Sequence, residues 1–168
     1  TYTITQNKPI TVSTLGLFPE SYTTDYFCDN SVLDEEVAKF TSEIVPGGIN
    51  YQLYKPEGGA DKLVVWFHGN GEGDMLGSNN NMAQMLGNRG AVAWASDEFQ
   101  EILGGAYVLA FQAPDTWYYA QRDGLLDQAA AEIEAVVSVY GIDPGKIILT
   151  GCSAGGYMST RMLIAHPE

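Results

Sequence analysis

Ser153 stands at the centre of Gly151-Cys152-Ser153-Ala154-Gly155-Gly156, directly after the apolar run Ile147-Ile148-Leu149. A serine in a G-x-S-x-G turn between a buried strand and a helix is a nucleophile elbow, whose small flanking residues, here Gly151 and Gly155, avoid Cβ clashes. The helix that begins after Ser153 turns its unpaired N–H groups and positive dipole end toward the reacting centre, where an oxyanion would form. That setting suits acyl transfer. The alternative is a glycine-rich strand-to-helix turn with an idle serine. Cys152, in the same turn, reads as a buried, inert thiol, and a cysteine hydrolase that uses it is disfavoured because the position between the glycines belongs to Ser153.

A serine hydroxyl needs a base to take its proton, and behind this elbow the acid and then the histidine follow the nucleophile in chain order. Two histidines are present, His68 and His166, and only fifteen residues follow Ser153. His166 closes a helix in Ala165-His166-Pro167 and reads as a surface residue; His68 belongs to a glycine loop. Neither reads as the base, so the 168 residues are expected to be the N-terminal part of a larger enzyme. Acid and histidine would then come from a segment after residue 168 or from a complementing C-terminal chain.

The glycine loop His68-Gly69-Asn70-Gly71-Glu72-Gly73 follows the apolar strand Leu63-Val64-Val65-Trp66-Phe67 without a gap. It reads as an oxyanion-hole loop, in which the N–H after the nucleophile, that of Ala154, pairs with one from Asn70 or Gly71. A phosphate cradle is the rival, disfavoured because position 74 is Asp and no Lys-Ser/Thr follows. His68 reads as a brace for the loop.

The elements that would carry these residues are legible from hydrophobic pattern. Ile49 to Tyr54 alternates as a half-buried strand ending at the turn Lys55-Pro56-Glu57-Gly58-Gly59, after which a hairpin can follow. Leu63–Phe67, Ala106–Phe111 and Ile147–Leu149 are continuous apolar runs, as in parallel strands covered on both faces. Between the second and third, Leu125, Leu126, Ala129, Ala130, Ile133, Val136, Val137 and Tyr140 recur at helical spacing, closed by Gly141. Strand, helix and strand in succession predict an α/β fold, a mostly parallel sheet with helices on both faces and its site at the carboxyl ends of the strands. Met82 to Gln100 reads as a helix and then a loop. Residues 1–45, including Tyr2–Thr5 and Pro9–Val12, read as a β-rich lead-in, and the acidic run Asp29–Glu36 as a solvated face.

Composition narrows the function classes. With 45% hydrophobic residues the chain can bury a core, and its net charge of −13 repels phosphate backbones, which argues against nucleic acid. No stretch has the apolar length of a membrane span, and the first residues carry no signal-peptide pattern. Cys28 and Cys152 are the two cysteines and form no C-x-x-C, so neither a metal nor another cofactor is expected. Cys28 reads as free, or as paired outside this sequence. High acidity, ten tyrosines and few basic residues weakly favour a secreted enzyme.

Taken together, Tyr51-Gln52-Leu53-Tyr54-Lys55-Pro56, His68-Gly69-Asn70-Gly71-Glu72, Phe111-Gln112-Ala113-Pro114 with Trp117, Ile142-Asp143-Pro144 and Gly151–Tyr157 resemble the α/β-hydrolase superfamily. Within it the chain is most similar to the prolyl-oligopeptidase-like esterases, the group with polyhydroxybutyrate-depolymerase-like and feruloyl-esterase-like enzymes. The resemblance runs from about Ile44 to the end, with residues 46–168 as the N-terminal part of the catalytic domain. It implies a carboxylic ester hydrolase with Ser153 as nucleophile, Ala154 with Asn70 or Gly71 as the oxyanion hole, and a small-molecule or polymer-linked ester as substrate. It also places the Gln112–Tyr119 loop at the substrate pocket, with Trp117 either against the substrate or simply packed. A serine peptidase on the same fold, or a non-catalytic binding module that keeps it, are the alternatives.

Overall fold

A computed structural model of the chain describes residues 10–13, 21–24, 31–73, 81–82, 84–85 and 89–167. The expected strand Tyr2–Thr5, together with Cys28, Leu86 and Gly87, lies outside the described residues. Strands β1 (Ile10–Ser13) and β2 (Ser21–Thr24) pair antiparallel as a separate ribbon, followed by helix α1 (Ser31–Ala38).

A five-stranded sheet comes next, built from β3 (Phe40–Glu43), β4 (Asn50–Tyr54), β5 (Leu63–Phe67), β6 (Tyr107–Gln112) and β7 (Ile147–Gly151). Their order across the sheet is β3-β4-β6-β5-β7. The two pairings that involve β4 are antiparallel, and β6-β5 and β5-β7 are parallel. A short connection joins β3 to β4, which favours an antiparallel pair, whereas parallel neighbours need long crossovers. The hairpin expected after Lys55–Gly59 is absent, because β4 pairs with β3 and β6 rather than with β5. The all-apolar β5 is buried throughout and lies between β6 and β7, which hides both of its faces and both of its edges.

Helices cover both faces. Leu63, Val65, Phe67, Leu109 and Phe111 point toward helices α4 (Leu125–Tyr140) and α5 (Ala154–Ala165), where Leu126, Ala129, Ile133, Met158 and Met162 complete the main core. Their neighbours in the pleat, Trp66 and Ala110, pack with Ala91 and Val92 of helix α2 (Gly90–Trp94) on the other face. Phe67 and Phe111 stack at 5.6 Å between centroids, and Trp117 meets Phe67 edge-on at 5.2 Å. Burying side chains of this size stabilises by about 1.5–3 kcal/mol each.

Two local expectations are corrected. The region up to Gln100 does not end as a loop: after α2 comes helix α3 (Asp97–Leu103), capped by Ser96, whose Oγ accepts the Phe99 N–H, and closed by Gly104 at φ 66°. The third apolar run is only partly covered, with Ile148 37% exposed. As the last strand of the order, β7 has no neighbour on its far edge among the described residues. No helix among them is long and apolar enough to cross a membrane.

Candidate active site

Register brings the candidate residues together. Phe67 of β5 lies opposite both Phe111 of β6 and Gly151 of β7, so three parallel strands end side by side. His68, Ala113 and Cys152, just beyond the strand ends, therefore lie on neighbouring backbone. The N–H of Cys152 donates to the Phe67 carbonyl at 3.1 Å. A Cβ on Gly69 would lie 3.7 Å from the Cys152 carbonyl oxygen and 3.8 Å from its Sγ. The glycine loop and the serine turn are thus in contact at the carboxyl end of the parallel strands, where ligands of such sheets bind.

Ser153 has φ 51° and ψ −112°, and among the described residues no other non-glycine residue has positive φ. A side chain in that region costs about 1–3 kcal/mol and persists only where the surroundings impose it. Here they do: the Gly155 N–H donates to the Cys152 carbonyl at 2.7 Å and the Tyr157 N–H to the Ser153 carbonyl at 3.1 Å. Ser153 precedes α5 at the N-cap position, yet its side chain caps no N–H. The hydroxyl is exposed, and Ala154 supplies one of the helix's first N–H groups, which have no intrahelical acceptor. Gly155 lets α5 approach this closely, since a Cβ there would stand 1.8 Å from the Phe67 carbonyl oxygen.

The loop is wired by its own side chains. His68 is fully buried; its Nδ1 donates to the Gly69 carbonyl at 2.7 Å and its Nε2 accepts the Ala113 N–H at 3.0 Å. Those partners fix the neutral tautomer protonated on Nδ1. Burial lowers the imidazole to about 4, against the smaller opposing effect of its bond to Gly69. With both nitrogens held by backbone, His68 cannot serve as the base and acts as the expected brace. Asn70 and Gly71, the latter at φ 88°, are exposed at the tip.

His166 lies at the far end of the twelve-residue α5, with Nε2 3.2 Å from the Asp127 carboxylate. A helix of that length puts about 18 Å between it and Ser153. Trp117 is fully buried, edge-on to Phe67 and with its ring 5.2 Å from that of His68. It backs the loop from inside the core. Cys152 corrects its expectation: it is a free and exposed thiol. No group of three or more His, Cys, Asp or Glu side chains among the described residues is arranged to hold a metal.

Two contributors went unread in the sequence. Glu72 accepts the Gly69 N–H at 2.7 Å through Oε2, and Gln112 donates from Nε2 to the Glu72 carbonyl. The three-residue spacing from Gly69 to Glu72 was a usable signal, as it matches the reach of a side chain closing one turn onto backbone. Gln112 carried none, because its partner lies forty residues away in sequence.

Comparison with known proteins agrees with this architecture. No protein-family model matches the chain. Arylacetamide deacetylase-like 2 of Homo sapiens is 31% identical over 119 residues, which cover 68% of this chain and 27% of that protein. The crystal structure of a thermostable esterase superposes with a TM-score of 0.63 at 29% identity, covering 79% of this chain and 39% of the esterase. A looser superposition, with TM-score 0.44 at 19% identity, is found with the Pyrococcus horikoshii acylaminoacyl peptidase, over 84% of this chain and 23% of the peptidase. The chain has a partial α/β-hydrolase fold and is related to esterase and deacetylase-like hydrolases of that fold. It spans well under half the length of these relatives.

Proposed function

We propose that this chain is the nucleophile-bearing part of a serine esterase that cleaves carboxylic esters through an acyl-enzyme on Ser153. The observation that carries this reading is the positive φ of an exposed serine whose hydroxyl is not spent on capping the helix behind it. The likeness to a thermostable esterase over 79% of the chain supports it. Residues 46–168 form the N-terminal part of the catalytic domain, and the end of the 1–45 lead-in adds the strand β3 to its sheet. The acid and histidine come from a segment outside these residues, since the relatives are much longer and both histidines here are engaged elsewhere.

In the reaction, Ser153 Oγ forms a bond to the ester carbonyl carbon while its proton passes to the histidine of that segment. The carbonyl π pair moves onto oxygen, and the oxyanion is held by the Ala154 N–H and an N–H of Asn70 or Gly71. Collapse expels the alcohol with the proton from the histidine; water then releases the acid and restores Ser153. No cofactor takes part. The substrate is a small or polymer-linked ester, and the acidic, tyrosine-rich composition fits an exported enzyme.

The test is labelling of the full-length protein with a fluorophosphonate and mass mapping of the adduct, alongside p-nitrophenyl ester hydrolysis by Ser153→Ala. The reading expects the adduct on the Ser153 peptide and turnover lowered at least a thousandfold, in line with nucleophile removal in serine hydrolases. Hydrolysis by Ser153→Ala at an undiminished rate overturns it.

A further inference from the structure

We infer that Glu72 is a positioning residue for the oxyanion hole: its carboxylate locks the glycine loop so that the Asn70 N–H faces the reacting carbonyl. The inference rests on the proposed role of Ser153 and goes beyond it, because it assigns the geometry of the loop donor to a particular side chain.

Backbone groups on both sides of Asn70 are already committed. The Gly69 N–H is taken by Glu72 Oε2 at 2.7 Å. The Gly69 carbonyl is taken twice, by His68 Nδ1 at 2.7 Å and by the Glu72 N–H at 3.4 Å. The Glu72 carbonyl is held by Gln112, whose Oε1 in turn accepts the Gln84 N–H at 3.3 Å. Buried groups of β6 and of the segment after it therefore clamp the loop at both ends. In a trans peptide the C=O of one residue and the N–H of the next point in opposite directions within one plane. The carboxylate fixes the N–H side of Gly69 and keeps residue 72 folded back on it, so the Gly69 carbonyl stays toward His68 Nδ1 and the Glu72 N–H, and the Asn70 N–H is aimed the other way, out of the loop. A loop free to rotate that peptide would spend part of its time with the carbonyl, not the N–H, toward the oxyanion, which is repulsive. The Gly69 side of the turn lies against Cys152, the residue before Ser153, so the loop that carries the aimed group adjoins the serine turn.

Gly69 offers an independent way to disturb the same contact. A Cβ there would lie 2.9 Å from Glu72 Oε2, with its next neighbours beyond 3.6 Å. The methyl of Gly69→Ala therefore displaces the carboxylate, the far end of a flexible side chain, and leaves the rest of the loop in place.

The experiment measures p-nitrophenyl ester kinetics and trifluoromethyl ketone affinity on the full-length protein. It compares wild type, Glu72→Ala, Glu72→Gln, Gly69→Ala and the Glu72→Ala/Gly69→Ala pair. Loss of a whole oxyanion donor costs about a hundredfold to a thousandfold in turnover; a misaimed one is expected to cost about tenfold or more. The proposal expects that loss in kcat with KM within twofold for Glu72→Ala and Gly69→Ala. The affinity for the ketone, whose adduct carries the oxyanion, falls by the same factor. The paired variant is no worse than either single one, and Glu72→Gln, which keeps an acceptor for the Gly69 N–H, recovers most of the loss. Unchanged kcat in Glu72→Ala, losses that multiply in the pair, or a Glu72→Gln as slow as Glu72→Ala each overturn it. Should Glu72→Ala fail to fold, Gly69→Ala and Glu72→Gln decide by the same criteria. Failure of the underlying reading shows differently, as undiminished turnover in Ser153→Ala, and removes this inference with it.

Discussion

Gly155 and Gly156 are adjacent in sequence and should respond to alanine in opposite ways. A Cβ on Gly155 would stand 1.8 Å from the Phe67 carbonyl oxygen, 2.5 Å from its carbon and 2.8 Å from the His68 oxygen. All three are backbone atoms at the end of the buried β5, so none can swing aside. Ordinary contact requires α5 to retreat by about 1.5 Å. Overpacking typically costs 1–3 kcal/mol, and a clash with rigid backbone belongs at about 3 kcal/mol or above. The same retreat carries Ser153 and Ala154 away from the glycine loop, and a displacement of about 1 Å at reacting groups can cost a hundredfold in rate. At Gly156 the nearest atom to a new Cβ is the Gly151 oxygen at 3.7 Å, an ordinary contact. Gly156→Ala should therefore gain about 0.5–1 kcal/mol from the helix preference for alanine. Urea unfolding of the full-length protein, with ester turnover measured in parallel, separates the two. Equal unfolding midpoints for Gly155→Ala and Gly156→Ala would refute the close approach of α5 to β5.

Three further outcomes rest on other contacts. The folded His68 imidazole is lowered to about 4 from an ordinary 6.5, so as pH falls from about 6.5 to 4 the unfolded chain binds a proton that the folded chain refuses. Stability is thus lost on acidification through that window, by up to about 3 kcal/mol, and His68→Gln should flatten this part of a plot of unfolding midpoint against pH; an unchanged slope contradicts the lowering of the His68 imidazole by burial. Glu132 accepts the N–H of the buried Ile49 at 2.6 Å, so Glu132→Ala should cost about 1–3 kcal/mol in urea unfolding by leaving that group unpaired. Gly141 closes α4 at φ 66° with nothing within 4 Å of its missing Cβ, so Gly141→Ala should cost about 1 kcal/mol from backbone strain alone and leave ester turnover unchanged.

Much of the architecture was legible because strong local signals announce it. The all-apolar Leu63–Phe67 could only be an interior strand, and the periodic Leu125–Tyr140 with Gly141 behind it could only be a capped helix. The failures arose where pairing was decided at a distance. The turn at Lys55–Gly59 looks like a hairpin turn, yet β6, more than fifty residues on, takes the place beside β4. The segment Met82 to Gln100 reads as a helix and then a loop because α2 is short and packs against Trp66 and Ala110 from distant strands, and α3 has no buried residue.

At the site the division runs along the same line. Chain order alone settles which atoms are available: a serine between glycines after a buried strand, a glycine loop after another, and side chains short enough to close that loop on itself. These are local facts, set by steric limits on backbone and by the reach of neighbouring residues. Folding in three dimensions then selects the groups that remain free to act. Register between β5, β6 and β7 put Ala113 against His68 and took both ring nitrogens out of use. It also turned Trp117 into the core and joined Gln112 to Glu72. Hydrogen-bond partners supplied from distant strands cannot be read from residues that are neighbours only after folding.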